Sequence, residues 1–179
     1  MMKIEDVQLV LLDIQGKLAQ IVHDSEAVLR NTNILVQGCK ALEVPIVWVE
    51  QMPDKLGATH PEVAAVLEGH LPVKKSCFSA CGEPAFVEQL AQNKRKQVLL
   101  LGIETHICVY QTAVDLLARD YDVYVIADAV SSRTESNRRI GLQMLREVGA
   151  KTFSTEAVLF NLLGTAQHPK FKEIAKLVR

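Results

Sequence analysis

Lys94-Arg95-Lys96-Gln97-Val98-Leu99-Leu100-Leu101-Gly102-Ile103-Glu104-Thr105-His106-Ile107-Cys108-Val109 is the stretch that decides the fold. A basic start, an unbroken apolar run and a glycine give way to a helical pattern over about 105–119. An apolar run without polar alternation marks a strand buried on both faces, as in parallel sheets. The same unit recurs along the chain. Apolar runs at 7–12, 44–49 and 121–127 end at Asp13, Glu50 and Asp128, and weaker ones lie at 71–73 and 151–153. Between them lie helical patterns at about 25–42, 84–92 (opened by Pro84) and 135–148 (closed by Gly149), then a segment capped by Thr155 and another opened by Pro169. This alternation predicts a doubly wound three-layer α/β/α fold. Its sheet should be mainly parallel and six-stranded, in the order 3-2-1-4-5-6, with right-handed crossovers. No repeat, low-complexity tract or linker interrupts the pattern, so a single domain over residues 1–179 is expected.

The composition narrows the function classes. The chain is 49% hydrophobic and 23% charged, with 20 Lys+Arg against 21 Asp+Glu and a formal charge of −1. That balance argues against holding nucleic acid by bulk positive charge and against intrinsic disorder. No apolar run reaches the roughly 18 residues of a membrane span. Acids precede the first apolar run, unlike a signal peptide, which predicts a cytoplasmic protein. The four cysteines, Cys39, Cys77, Cys81 and Cys108, are then free thiols. Neither they nor the scattered histidines show metal-ligand spacing, and neither a G-x-G-x-x-G nor a P-loop offers a phosphate cradle, so no metal or cofactor is expected.

Three residues stand at strand ends, where open α/β sheets bind ligands: Asp13, Lys75 and Cys108. In the order 3-2-1-4-5-6 the first and fourth strands are neighbours, which brings Asp13 opposite Cys108. A helix N-terminus and a nearby cation would lower the thiol pKa, Asp13 could move its proton, and backbone N–H groups of the 103–108 turn could hold an oxyanion. Each residue also has an inert reading: Asp13 as a turn residue, Lys75 as solvated surface and Cys108 as a small buried hydrophobe. The loop from Glu50 to Pro61 leaves a strand end and is long enough to be functional or mobile. Arg133, Arg138 and Arg139 could attract an anionic substrate or sit at a subunit interface. The apolar stretch 157–163 reads equally as interface or core.

Four segments carry a family resemblance: Leu11-Leu12-Asp13-Ile14-Gln15, Lys75-Ser76-Cys77-Phe78-Ser79-Ala80, the segment from Gly102 to Val109, and Ala127-Asp128-Ala129-Val130-Ser131-Ser132-Arg133. With these in order, the chain resembles the isochorismatase-like cysteine hydrolases over nearly its whole length, including small isochorismatase-domain proteins whose loop reads much like Glu50-Gln51-Met52-Pro53-Asp54-Lys55-Leu56-Gly57. The resemblance implies a catalytic Asp–Lys–Cys triad on Asp13, Lys75 and Cys108. Lys75 is preferred to Lys74 because the family's lysine stands three residues before an aromatic-Ser pair, here Phe78-Ser79. It also implies a cis peptide at Ile103–Glu104 that turns N–H groups near Thr105 and Cys108 toward a substrate carbonyl. Gln15, Gln51, Phe78 and Glu104 are the candidates for pocket lining. The loop holds Asp54 and His60 without the D-x-H arrangement of metal-binding nicotinamidases, and Cys108 separates the chain from vinyl-ether-cleaving members that lack the cysteine. The implied function is hydrolysis of a small amide or carbamoyl-type C–N bond through a Cys thioester, in a homodimer or larger homo-oligomer. The alternative is a catalytically quiet homo-oligomer that binds a metabolite or a protein.

Overall fold

The computed structural model describes residues 2–179. Six strands, β1 (Val7–Leu12), β2 (Ile46–Gln51), β3 (Val73–Lys75), β4 (Gln97–Ile103), β5 (Asp122–Ser131) and β6 (Lys151–Phe153), pair in parallel in the order β3-β2-β1-β4-β5-β6. The expected order is therefore observed. Every residue of β1 is buried, as is β4 from Val98 to Ile103. These two central strands run in unbroken register from Val7↔Gln97 to Leu12↔Gly102. The last pair requires a glycine: Gly102 has φ +130, and a Cβ there would stand 2.0 Å from the Leu12 carbonyl oxygen.

The helices are α1 (Leu18–Ile21), α2 (Ser25–Ala41), α3 (Pro53–Leu56), α4 (Pro61–Val66), α5 (Pro84–Gln92), α6 (Tyr110–Leu117), α7 (Glu135–Glu147), α8 (Thr155–Leu163) and α9 (Phe171–Leu177). The chain moves from β1 to β2 in one direction along the sheet and from β3 through β4 to β6 in the other. Right-handed crossovers then place α2 on one face and α5, α6 and α7 on the opposite face. The C-terminal α8 and α9 return to pack on α2. Val158, Leu159, Leu162 and Leu163 of α8 are buried in the protomer, so the apolar stretch at 157–163 is core.

Four local features depart from the expectations. The segment 105–109 is a π-helical turn preceding α6, because the Glu104 carbonyl accepts from both Ile107 N (3.1 Å) and Val109 N (3.2 Å). β5 runs past Asp128 to Ser131: its register with β4 shifts between Leu100 and Gly102, and the Asp128 carboxylate turns out of the strand to accept from Thr155 N and Oγ1. Thr155 is thereby engaged, and Ser154 caps α8 by accepting from Ala157 N. Finally, the segment at 50–61 is folded. It contains the end of β2, all of α3 and the first residue of α4, and it is tied down at Thr59, whose N and Oγ1 donate to Glu50 Oε1 at 2.7 and 2.8 Å while Trp48 Nε1 donates to Thr59 Oγ1 at 2.8 Å.

Candidate active site at the carboxyl ends of the central strands

Asp13 directly follows β1 with φ 58, Lys75 closes β3, and Cys108 lies in the π-helical turn after β4. Parallel pairing ends these strands on one edge of the sheet, and the residues that follow surround a cavity of about 280 Å³. Its polar lining consists of Asp13, Gln15, Gln51, Glu104, Cys108 and Arg133, and its apolar lining of Leu18, Leu56, Phe78, Ile103 and Ile107. Lys75 stands behind Asp13 with a fully enclosed side chain. Thr105 is buried and contributes nothing to the cavity wall.

The Lys75 ammonium donates to Asp13 Oδ2 at 2.8 Å, to Gln51 Oε1 at 2.5 Å, and to the carbonyls of Cys77 and Phe78 at 3.2 Å each. Alternation along β3 explains why Lys75 and not Lys74 takes this role: Lys74 is exposed and Lys75 buried. The loop after β3 is held from α6, where Asp115 Oδ2 accepts from Ser79 Oγ (2.6 Å) and Thr112 Oγ1 accepts from Ala80 N (3.0 Å). The second Asp13 oxygen, Oδ1, is buried without a hydrogen-bond partner, and Asp13 and Cys108 line the same cavity.

The electrostatics correct one expectation. Cys108 is pushed up to about 12, chiefly by burial and next by the Asp13 charge, with Lys75 opposing. The helix terminus and the lysine therefore do not produce a resting thiolate. Asp13 is itself raised above the ordinary carboxyl value of 3.8, because burial outweighs the pull of Lys75. A neutral thiol thus faces a carboxylate with enhanced affinity for a proton.

The glutamine amides are occupied by the protein. Gln15 Nε2 donates to the carbonyls of Gln51 (3.1 Å) and Gly57 (2.7 Å), and its Oε1 accepts from Gln51 N (2.6 Å). Gln51 Nε2 donates to the Ser76 carbonyl at 2.9 Å. Phe78 projects at the mouth and is 57% exposed. The Ile103–Glu104 peptide is cis. Gly141 of α7 packs on the π-helical turn so closely that a Cβ would lie 2.8 Å from His106 N.

Sequence reasoning missed Leu18, Leu56 and Ile107, because an apolar residue carries no local sign of facing a cavity instead of the core. It also missed the pairing of Arg133 Nε with Glu104 Oε1 at 2.5 Å. Arg138 has a structural role, donating to the carbonyls of Val130 (3.0 Å) and Ala127. Cys39 and Cys81 are buried, with thiols pushed up to about 12 and about 11, while Cys77 is half-buried. Among the described residues no cluster of three or more His, Cys, Asp or Glu side chains could hold a metal ion, and no helix is long and apolar enough to cross a membrane.

Comparison with known proteins places the chain in a family. The isochorismatase domain model matches residues 7–157. Isochorismatase domain-containing protein 2 of Bos taurus is 41% identical, over 96% of this chain and 82% of the relative. A secreted isochorismatase effector of Phytophthora sojae is 40% identical, over 96% and 83% of the two chains. Among solved structures, the MAR1 ribonuclease of Caenorhabditis elegans superposes with a TM-score of 0.93 at 34% identity, covering 99% of this chain and 91% of that one. An octameric hydrolase of unknown specificity from Escherichia coli shares the fold, with a TM-score of 0.92 at 21% identity over 98% and 88% of the chains. A matching family model over most of the chain, together with relatives near 40% identity, means that the protein belongs to the isochorismatase family.

Proposed function

We propose that the protein is a cysteine hydrolase that cleaves a small amide or carbamoyl-type C–N bond, with Asp13, Lys75 and Cys108 as its triad. One observation carries the reading: Asp13, held at 2.8 Å by the enclosed Lys75 behind it, shares one cavity with Cys108. Cys108 Sγ attacks the substrate carbonyl carbon as its proton passes to Asp13. Charge then develops on the carbonyl oxygen. The N–H groups near Thr105 and Cys108, which the family resemblance assigns to that oxygen, are the proposed donors; Ile107 N and Val109 N already donate to the Glu104 carbonyl, and of the two only Cys108 lines the cavity. Collapse breaks the C–N bond, the amine leaves with the proton from Asp13, and a thioester remains. Asp13 next takes a proton from water, whose oxygen attacks the thioester and releases the carboxylic product with regeneration of the thiol. Lys75 acts through Asp13 by holding it ionised and oriented. No step calls for a metal or cofactor. The octameric relative supports a homo-oligomeric assembly.

The test is ammonia release from a panel of small amides and carbamoyl compounds by the wild type and Cys108→Ala, with intact-mass detection of an acyl adduct. Turnover and adduct should both vanish in the variant. Amide turnover that survives Cys108→Ala overturns the triad. The name of the Caenorhabditis elegans relative favours a second reading, RNA cleavage, and Cys108-dependent cleavage of an RNA substrate would establish it. The third reading, a quiet binding member, is favoured by the protonated resting thiol and requires that no substrate or acylating electrophile modify Cys108.

A further inference from the structure

We propose that the cavity selects an electrically neutral amide with a compact apolar acyl group; this rests on Cys108 as the acyl acceptor. Two observations support it independently of the triad chemistry. The first is charge balance. The carboxylates that line the cavity, Asp13 and Glu104, are each bonded to one cation, Lys75 at 2.8 Å and Arg133 at 2.5 Å; His106 Nε2 also stands 3.6 Å from Glu104 Oε2, and the buried Glu50 outside the lining accepts from Thr59. An anionic or cationic substrate would lose its hydration on entry and meet no unbalanced partner. Arg133 is a poor anchor for an anion. Its Nε is committed to Glu104, its side chain is 59% exposed and hence screened, and the other Glu104 oxygen is buried beside it without a hydrogen bond.

The second is the commitment of the glutamine amides. The side-chain amides of Gln15 and Gln51 are bonded to the protein, which leaves the charged pairs and the thiol as the polar groups of the lining. What remains for the acyl group is Leu18, Leu56, Phe78, Ile103 and Ile107. The volume of about 280 Å³ equals the space of about nine waters, room for a small acyl group.

The experiment compares three amides of similar size on the full chain: isobutyramide (neutral), succinamate (anionic) and β-alaninamide (cationic). The expected kcat/KM for isobutyramide exceeds both others by on the order of 100-fold or more. Arg133→Gln leaves the Glu104 charge unbalanced. It should raise β-alaninamide relative to isobutyramide by about 10-fold and lower succinamate further, whereas a merely structural Arg133 would lower all three together. Iodoacetamide against iodoacetate labelling of Cys108, each normalised to free cysteine, gives the same comparison without turnover and should favour the neutral reagent. Succinamate or β-alaninamide turned over as well as isobutyramide by the wild type overturns the inference while leaving the nucleophile in place. Absence of both turnover and Cys108-dependent labelling overturns the nucleophile itself, and the inference with it.

Discussion

Lys75→Met removes the cation of a buried pair and is the most direct probe of the site's electrostatics. The Lys75 side chain is 0% exposed and that of Asp13 is 5% exposed, so water cannot readily replace the lost ammonium. Breaking such a pair from one side costs about 3–5 kcal/mol. The carbonyls of Cys77 and Phe78 lose their donor as well. Against a typical total of roughly 5–15 kcal/mol this leaves a marginal protein. With a urea m-value of about 2 kcal/mol/M the midpoint should fall by about 2 M. The Asp13 carboxyl binds its proton more tightly in the folded than in the unfolded chain, so the group already lowers stability as pH rises above 3.8. Without Lys75 that affinity increases further. The variant's deficit should deepen with rising pH and shrink as pH falls toward 3.8. Asp13→Asn in the Lys75→Met background removes the orphaned charge and should recover on the order of 2 kcal/mol at neutral pH. Urea unfolding of the four proteins at two pH values reads all of this. A loss below about 1 kcal/mol, or a double variant no more stable than Lys75→Met, would refute the picture of a desolvated, mutually dependent pair.

Three further outcomes are expected. Cys108 ionises only toward about 12, so at pH 7 iodoacetamide should label it about 1000-fold more slowly than a free cysteine, with the rate rising about tenfold per pH unit. Asp13→Asn should speed that labelling and abolish amide turnover; a thiol that titrates near 8.5 would contradict the burial argument. Gly141→Ala inserts a methyl 2.8 Å from His106 N and should displace the π-helical turn, lowering kcat at least about tenfold with a midpoint shift under about 1 M urea. Unchanged kcat would show that the turn tolerates the shift. Ser154→Ala removes the α8 cap and should cost about 1 kcal/mol in thermal or urea unfolding with activity intact.

The sheet was legible because its strands are uniformly apolar: the runs at 7–12 and 98–101 have no alternative to burial on both faces, and one strand order then follows from right-handed crossovers. Strand ends placed Asp13 and Cys108 near one another for the same reason. Lys75 needed more, since local composition does not separate it from Lys74; only the alternation of a three-residue strand does. The thiol environment was misjudged because desolvation belongs to the packed molecule and not to the neighbouring residues in sequence. The same holds for the Glu104–Arg133 pair, which joins residues 29 positions apart, and for the glutamines, whose amides are spent on backbone groups and on Lys75.

The knot at Thr59 bears on how the protein could change its specificity. It fixes one end of the segment that carries Leu56 to β2, and Gln15 grips the Gly57 carbonyl beside it. The rim of the cavity is thus a rigid frame with interchangeable tiles. Lys75 holds the Phe78 backbone carbonyl and not its ring, so replacing the side chain of Leu56 or Phe78 would reshape the entrance while the bond between Lys75 and Asp13 stays as it is. A family built on such a frame can drift among substrates by single side-chain steps, with no loop to redesign.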